Sequence, residues 1–364
     1  MNRNPTTGDI AVVLGTRPEI IKLAPVVQEL GGRARVVHTG QHWDENMSGQ
    51  FLRDLTPIGG IEVLSGLGGL SRPRQIAGGI DQLSALFERR RPRAVIVQGD
   101  TNSTSIGAQT ANYLGIPVIH VEAGLRSRDR DMPEELNRLI VGAVADVHCA
   151  ATPYNAANLL AEGVDAERIH ITGNTVVEAT RRVLESSTEH VPLPVDGPFV
   201  LATIHRPENT DDSGALSRIF SALAAMPYPV VFVAHPRTLA AADRFGLEGM
   251  MERLHVLQSV GHAEFLGLAG RAALVISDSG GVQEEVTVIK KPLLVVRKST
   301  ERPEAIGAGF AELVRPGDSI EAAAERMLGD AGLTVRLRQT PSPYGDGSAS
   351  RMIADIARRV ADRG

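Results

Sequence analysis

Ile10-Ala11-Val12-Val13-Leu14-Gly15-Thr16-Arg17-Pro18-Glu19 runs from an apolar, partly β-branched pentad through a glycine into a proline-opened helical pattern. Far along the chain, Ala272 to Ile276 feeds Ser277-Asp278-Ser279-Gly280-Gly281-Val282-Gln283-Glu284-Glu285 in the same way. Each stretch reads as a strand passing into a helix. A helix N-terminus presents unpaired N–H groups and partial positive charge. Two such mouths predict two α/β halves facing one anionic ligand.

Working outward, short apolar runs at 34–39, 94–98, 117–121, 147–150 and 168–172 alternate with amphipathic stretches such as 19–30 and 76–90. That rhythm predicts a parallel sheet covered on both faces. Residues 186–198, with prolines at 192, 194 and 198, interrupt it and read as a linker. Runs at 199–204, 230–234, 272–276 and 293–296 resume it, and a helix is expected from about Ala349 to Arg363. The fold class is therefore α/β, with an N-terminal domain over 1–180, a linker over 181–198, a second domain over 199–346 and a terminal helix over 347–364.

The 364 residues, 43% of them hydrophobic, suffice for two cores. The start Met1-Asn2-Arg3-Asn4-Pro5 lacks a signal-peptide core, and no apolar run has the length of a membrane span. A single cysteine, Cys149, excludes an internal disulfide. A cytoplasmic protein without membrane partners is expected. The net charge of −5 argues against a nucleic-acid partner, and Arg89-Arg90-Arg91 reads as cations complementing a helix end before Pro92.

In open α/β sheets ligands lie beyond the C-terminal ends of strands. The residues there are Thr16-Arg17, Gln41-His42, Gly99-Asp100-Thr101, Glu122-Ala123-Gly124, His205-Arg206, His235-Pro236 and Ser279-Gly280-Gly281. Ser279-Gly280-Gly281 brings bare backbone to a phosphate, and Glu285, one turn on, suits two ribose hydroxyls. Arg17 offers a planar fork for phosphate oxygens or forms a surface ion pair. Thr300-Glu301-Arg302-Pro303-Glu304 repeats the Arg-Pro-Glu order, which makes Arg302 a second candidate for a pyrophosphate. Asp100 is either an acid/base group or the cap of a helix starting near Asn102. Glu134 either acts chemically or complements a helix dipole, and His205 is either an acid/base group or a loop histidine. Gly-x-Gly-x-x-Gly, the Gly-Lys-Ser/Thr phosphate loop, His-Glu-x-x-His and clustered Cys/His patterns do not occur in the sequence. The residues alone point to a two-domain enzyme of nucleotide diphosphate compounds, with no cofactor and no metal.

In order along nearly the whole chain, Gly15 to Lys22, Gly40-Gln41-His42, Gly99-Asp100-Thr101, His120 to Arg126, Pro133 to Arg138, Thr172 to Thr175, Ser277 to Glu285, Thr300 to Glu304 and Pro343 to Gly347 resemble the non-hydrolysing UDP-N-acetylglucosamine 2-epimerases. The resemblance implies a GT-B architecture: two Rossmann-like domains, the active site in the interdomain cleft, a C-terminal helix crossing back to the first domain, and a homodimer. It implies interconversion of UDP-GlcNAc and UDP-ManNAc by anti elimination of UDP to 2-acetamidoglucal and re-addition. Asp100, Glu122, Glu134 and His205 would then be the acid/base and charge-stabilising group. Arg17, Ser279, Gly280, Gly281 and Arg302 would hold the pyrophosphate, Glu285 the ribose, and Phe265 would lie near the uracil. Lys22 would support the phosphate or the catalytic carboxylates, and Arg138 would orient Glu134.

The chain also departs from the pattern. The loop Ser127 to Pro133 is shorter than in many bacterial members, and His205-Arg206-Pro207-Glu208 replaces the commoner His-Arg-Arg-Glu. Trp43-Asp44-Glu45 and Gly66 to Leu70 differ where relatives are described as binding a second, regulatory UDP-GlcNAc, so weak or absent activation by UDP-GlcNAc is expected. Hydrolysing 2-epimerases characteristically carry Gly-Thr-Arg-Ala-Glu, Gly-Asp-Arg and Gly-Gly-Glu where this chain has Gly-Thr-Arg-Pro-Glu, Gly-Asp-Thr and Glu-Ala-Gly. A GT-B glycosyltransferase and a non-catalytic nucleotide-sugar sensor are the remaining rivals.

Overall fold

Alternate residues of the first strand serve opposite sides of the sheet: Ile10, Val12 and Leu14 join one apolar cluster, Ala11 and Val13 another. All five are fully buried, which is why the strand reads as one continuous apolar run rather than an alternating one. The computed structural model describes residues 7–41, 60–186, 192–258 and 260–363. His42, Trp43, Asp44, Glu45 and the middle of the proline-bearing stretch lie outside the described residues.

Two units contain these elements, Met1–Ala179 together with Tyr344–Gly364, and Thr180–Pro343. Unit 1 is built on β1 (Ile10–Leu14), β2 (Ala34–His38), β3 (Ile61–Val63), β4 (Ala94–Gln98), β5 (Val118–Ala123), β6 (Val147–Ala150) and β7 (Ile169–Ile171). Among the described residues they form a parallel sheet in the order β3-β2-β1-β4-β5-β6-β7. The order reverses direction at β1 and β4, the switch point where the strand-end loops diverge and leave a crevice.

Helix Arg17–Leu30 lays Ile20, Leu23 and Val27 on one face of this sheet, and the helix Ala349–Arg363 packs beside it through Ile353, Ala357 and Ala361. The later helix is held at its start by Asn174 N donating to Tyr344 O at 2.8 Å and Ser350 N donating to Glu178 Oε1 at 2.7 Å. On the opposite face, helices Arg72–Arg89 and Asn102–Tyr113 bury Leu83, Phe87 and Ile106. Helix Val176–Ser186 carries the chain across the boundary between the units, so the proline-bearing stretch begins after a helix.

Unit 2 has β8 (Val200–Thr203), β9 (Val230–Ala234), β10 (His255–Gln258), β11 (Leu274–Ser277), β12 (Leu293–Val296) and β13 (Ala311–Val314), all parallel, in the order β10-β9-β8-β11-β12-β13. Here the switch falls between β8 and β11, placing the loops after Thr203 and Ser277 side by side. Both units are thus doubly wound parallel sheets. A recurrent local device sets the helix starts: Pro18, Pro133, Pro153, Pro207, Pro236 and Pro303 each stand at the first or second helical position. There the missing N–H costs nothing and the fixed φ suits the helix.

Candidate active site

In unit 1 the ends of β1, β4 and β5 bring three carboxylates into separate, fully furnished settings. Glu19, in the first turn after β1, is buried and accepts from Gly15 N at 3.1 Å, Thr16 Oγ1 at 2.8 Å, Thr101 Oγ1 at 2.8 Å and Thr104 Oγ1 at 3.2 Å. It ties the loop that carries Arg17 to the loop that carries Asp100. The loops approach so closely that a Cβ at Gly15 would lie 2.0 Å from Ser103 Oγ, which explains the glycine.

Burial pushes the Glu19 carboxyl up to about 7, against the pull of its hydroxyl and amide donors. Folded, this group holds a proton that the unfolded chain has lost, so its contribution is fully present below the ordinary value of 4.5 and is lost as pH rises through about 7. Glu19→Gln should therefore remove a pH-dependent loss of roughly 3 kcal/mol between pH 5 and 8. Urea unfolding at the two pH values checks this; equal pH dependence in variant and wild type refutes it.

Thr101, not Asp100, caps helix Asn102–Tyr113: its hydroxyl accepts from Thr104 N, and the Thr104 hydroxyl accepts from Thr101 N. The capping alternative for Asp100 therefore falls away. Asp100 instead meets Arg138, which donates to Oδ2 from Nε at 2.9 Å and Nη2 at 2.6 Å. Arg138 also donates to Glu135 at 2.8 Å, and Glu135 is itself fixed by the amides of Ser127 and Arg128. Arg138 thus serves Asp100 and Glu135, where the resemblance implied Glu134. Glu135 faces inward and pre-positions the guanidinium, while Glu134 stands exposed in the first helical turn. The carbonyl of Asp100 accepts from Asn137 Nδ2 at 2.8 Å, and the carbonyl before it, Gly99 O, lies 2.8 Å from the buried His120 Nε2. Burial drives the His120 imidazole down to about 3, so the ring remains a neutral strut under the loop.

Glu122 is the third carboxylate. The pairing of β5 with β6 shifts register between Val121 and Ala123, and Glu122 at that bulge has φ +61°. A left-handed backbone at a non-glycine residue is costly and persists only where surroundings dictate it. Here Lys22 Nζ and Gln98 Nε2 each donate to Glu122 Oε2 at 2.7 Å, with both ends of the ion pair buried. Lys22 therefore supports a carboxylate. Arg17 is half-buried at the start of the neighbouring helix.

In unit 2 the helix Gly280–Ile289 starts without a side-chain cap from Ser279, which leaves first-turn N–H groups available to an anion. Beneath it lies Arg302, donating to Glu284 Oε1 at 2.9 Å and paired with Glu301. Its Nη1 would sit 2.7 Å from a Cβ at position 280, so a glycine there lets the buried guanidinium reach the helix start. Glu285 pairs with His262 Nε2 at 2.8 Å on the adjacent helix, which also carries the buried Phe265. His205 follows β8 and its backbone N–H donates to the buried Asp278, the residue before Ser279, at 3.0 Å. Burial lowers the His205 imidazole; Asp278 raises it, while His235, Arg206 and Arg237 lower it further.

The structure thus groups Arg17, Lys22, Asp100, Glu122 and Arg138 at the strand ends of unit 1, with Glu134 exposed on the helix beside them. It groups His205, Ser279, Gly280, Gly281 and Arg302 in unit 2, with Phe265 and Glu285 linked through the helix His262–Arg271. The partners that the sequence reading missed are Glu19, Gln98, Glu135, His262 and Glu284. Only the helix-start position of Glu19 signalled its part in advance.

A family model described as UDP-N-acetylglucosamine 2-epimerase matches residues 28–358. The chain belongs to the UDP-N-acetylglucosamine 2-epimerase family. It is 36% identical over 366 residues to the UDP-N-acetylglucosamine 2-epimerase of Methanococcus maripaludis, covering 95% of this chain and 97% of that one. It is 34% identical over 364 residues to the UDP-2,3-diacetamido-2,3-dideoxy-D-glucuronate 2-epimerase of Pseudomonas aeruginosa, covering 96% of this chain and 99% of that one. Among solved structures, the Methanocaldococcus jannaschii UDP-GlcNAc 2-epimerase in complex with UDP-GlcNAc and UDP superposes with a TM-score of 0.85 at 34% identity, covering 96% of this chain and 99% of that one. The epimerase family relationship, like the paired parallel sheets, gives the GT-B fold.

Proposed function

We propose that this epimerase-family chain inverts C2 of UDP-N-acetylglucosamine, giving UDP-N-acetylmannosamine without releasing free sugar. The observation that carries the reading is the pair of strand-end carboxylates in unit 1, each locked on its own buried cation: Asp100 on Arg138 and Glu122 on Lys22. An epimerase of this substrate needs groups to remove a proton from one face of C2 and return one to the other. The C2 proton has no adjacent carbonyl, so its direct removal leaves an unstabilised carbanion. Departure of UDP makes C1 oxocarbenium-like and the C2 proton acidic; anti elimination gives 2-acetamidoglucal, and re-addition completes the inversion.

In this assignment Asp100, Glu122 and Glu134 serve the sugar with His205 at the glycosyl phosphate. Arg17, Ser279, Gly280, Gly281 and Arg302 serve the diphosphate, Glu285 the ribose and Phe265 the uracil. Arg302 acts from beneath the helix start, adding positive charge to that of the N–H groups. A homodimer and a cytoplasmic setting complete the proposal, with the product feeding surface polysaccharide or a sugar-bearing natural product.

Incubation with UDP-GlcNAc in deuterated water should give UDP-ManNAc carrying deuterium at C2. Free UDP and N-acetylmannosamine would instead establish the hydrolysing reaction, and full retention of the original hydrogen would overturn the elimination route. The similarity to the diacetamido-glucuronate 2-epimerase supports a second reading in which the preferred sugar carries a C6 carboxylate. Competition between that compound and UDP-GlcNAc in one incubation separates the two.

A further inference from the structure

Ser277 and Thr203 are register partners at the ends of adjacent strands, so the next residues, Asp278 and Ile204 followed by His205, leave the sheet side by side. Asp278 is fully buried, yet it gathers donors almost entirely from one loop. His205 N donates to Oδ1 and Oδ2 at 3.0 Å each, Arg206 N to Oδ2 at 2.8 Å, and Asn209 Nδ2 to Oδ2 at 2.9 Å. His205 Nδ1 lies 3.3 Å from Asp278 Oδ1, with the imidazole one-third exposed and the carboxylate wholly enclosed.

We infer that Asp278 is the positioning residue of His205, fixing its Nδ1–H tautomer so that Nε2 is the nitrogen that meets the glycosyl phosphate. The inference rests on the role proposed above for His205. A neutral imidazole has one donor and one acceptor nitrogen, and a carboxylate beside Nδ1 accepts only if that nitrogen carries the hydrogen. At 3.3 Å the two atoms form an ion-pair contact that is not aligned as a hydrogen bond, and a small turn of the imidazole brings Nδ1–H onto Oδ1. His235, whose ring centroid is 5.3 Å away, is set the other way: its Nδ1 accepts from Arg237 N at 3.1 Å, placing its hydrogen on Nε2. The groups that face His205 are therefore Asp278, which raises its protonation, and His235, Arg206 and Arg237, which lower it.

Asp278→Asn should lower kcat for UDP-GlcNAc roughly 10²–10³-fold while KM changes by less than about threefold. It should also move the His205 limb of the pH profile to lower pH, because only lowering influences remain. Two-bond proton–nitrogen correlation spectra of histidine-labelled full-length protein should show Nδ1–H at His205 in the wild type and its loss in the variant. Asn209→Ala removes a donor to the same carboxylate without touching the imidazole; it should lower Tm and leave tautomer and limb in place. A folded Asp278→Asn protein with unchanged tautomer and limb overturns the inference, as does Nε2–H at His205 in the wild type, a result that needs no variant to fold. Failure of the wild type to turn over UDP-GlcNAc strikes the functional reading instead, since the tautomer is read without substrate.

Discussion

Asp100→Asn should reduce turnover of UDP-GlcNAc roughly 10²–10⁴-fold, the usual yield of a positioned acid/base group, with the fold preserved. The amide keeps the shape of the carboxylate and can turn its one acceptor oxygen to Arg138, leaving an NH2 group in place of the second oxygen. Both Arg138 donors go to the single oxygen Oδ2, so the amide oxygen in that position keeps the orientation and the variant loses the base alone. Thr101 continues to cap the following helix, which is why the circular dichroism spectrum should not change. Solvent deuterium wash-in at C2, followed by proton spectroscopy, measures the effect; near-normal exchange would remove Asp100 from the assignment.

Lys22→Met carries the second large effect, this time on stability. It leaves Glu122 enclosed with its left-handed backbone and without the buried ammonium at 2.7 Å. Removing one member of a buried ion pair costs about 3–5 kcal/mol, because the remaining charge has lost its compensation. Adding Glu122→Gln should restore much of that loss while activity stays abolished. Guanidinium unfolding of the two single variants and the double gives the coupling; strict additivity would show that the pair is not a unit.

The central strands were legible because they are enclosed on both faces: Ile10 to Leu14, Ala94 to Gln98 and Leu293 to Val296 are near-continuous apolar runs. The edge strands β3, β10 and β13 escaped the sequence reading. Ile61 and Val63 are 37% and 46% exposed, and His255-Val256-Leu257-Gln258 and Ala311-Glu312-Leu313-Val314 mix polarity, as sheet edges do. The site was legible as positions but not as pairings. Asp100 and Glu122 announce themselves by following strands. Nothing local tells that Arg138 reaches Asp100, 38 residues earlier, as well as Glu135 on its own helix; that pairing is made by long-range packing. Glu19 was overshadowed by Arg17 because its four donors come partly from Thr101 and Thr104, residues that only the folded sheet brings near.

Unit 1 is assembled from two separated lengths of chain, whereas unit 2 is continuous. During synthesis, residues 344–363 leave the ribosome after all of unit 2, so the second unit can close while the first still waits for its last layer. Until then the trough awaiting Ile353 and Ala357 leaves Ile20, Leu23 and Val27 open to water or to a chaperone. The unit whose translation starts first is thus the one whose last layer is supplied latest.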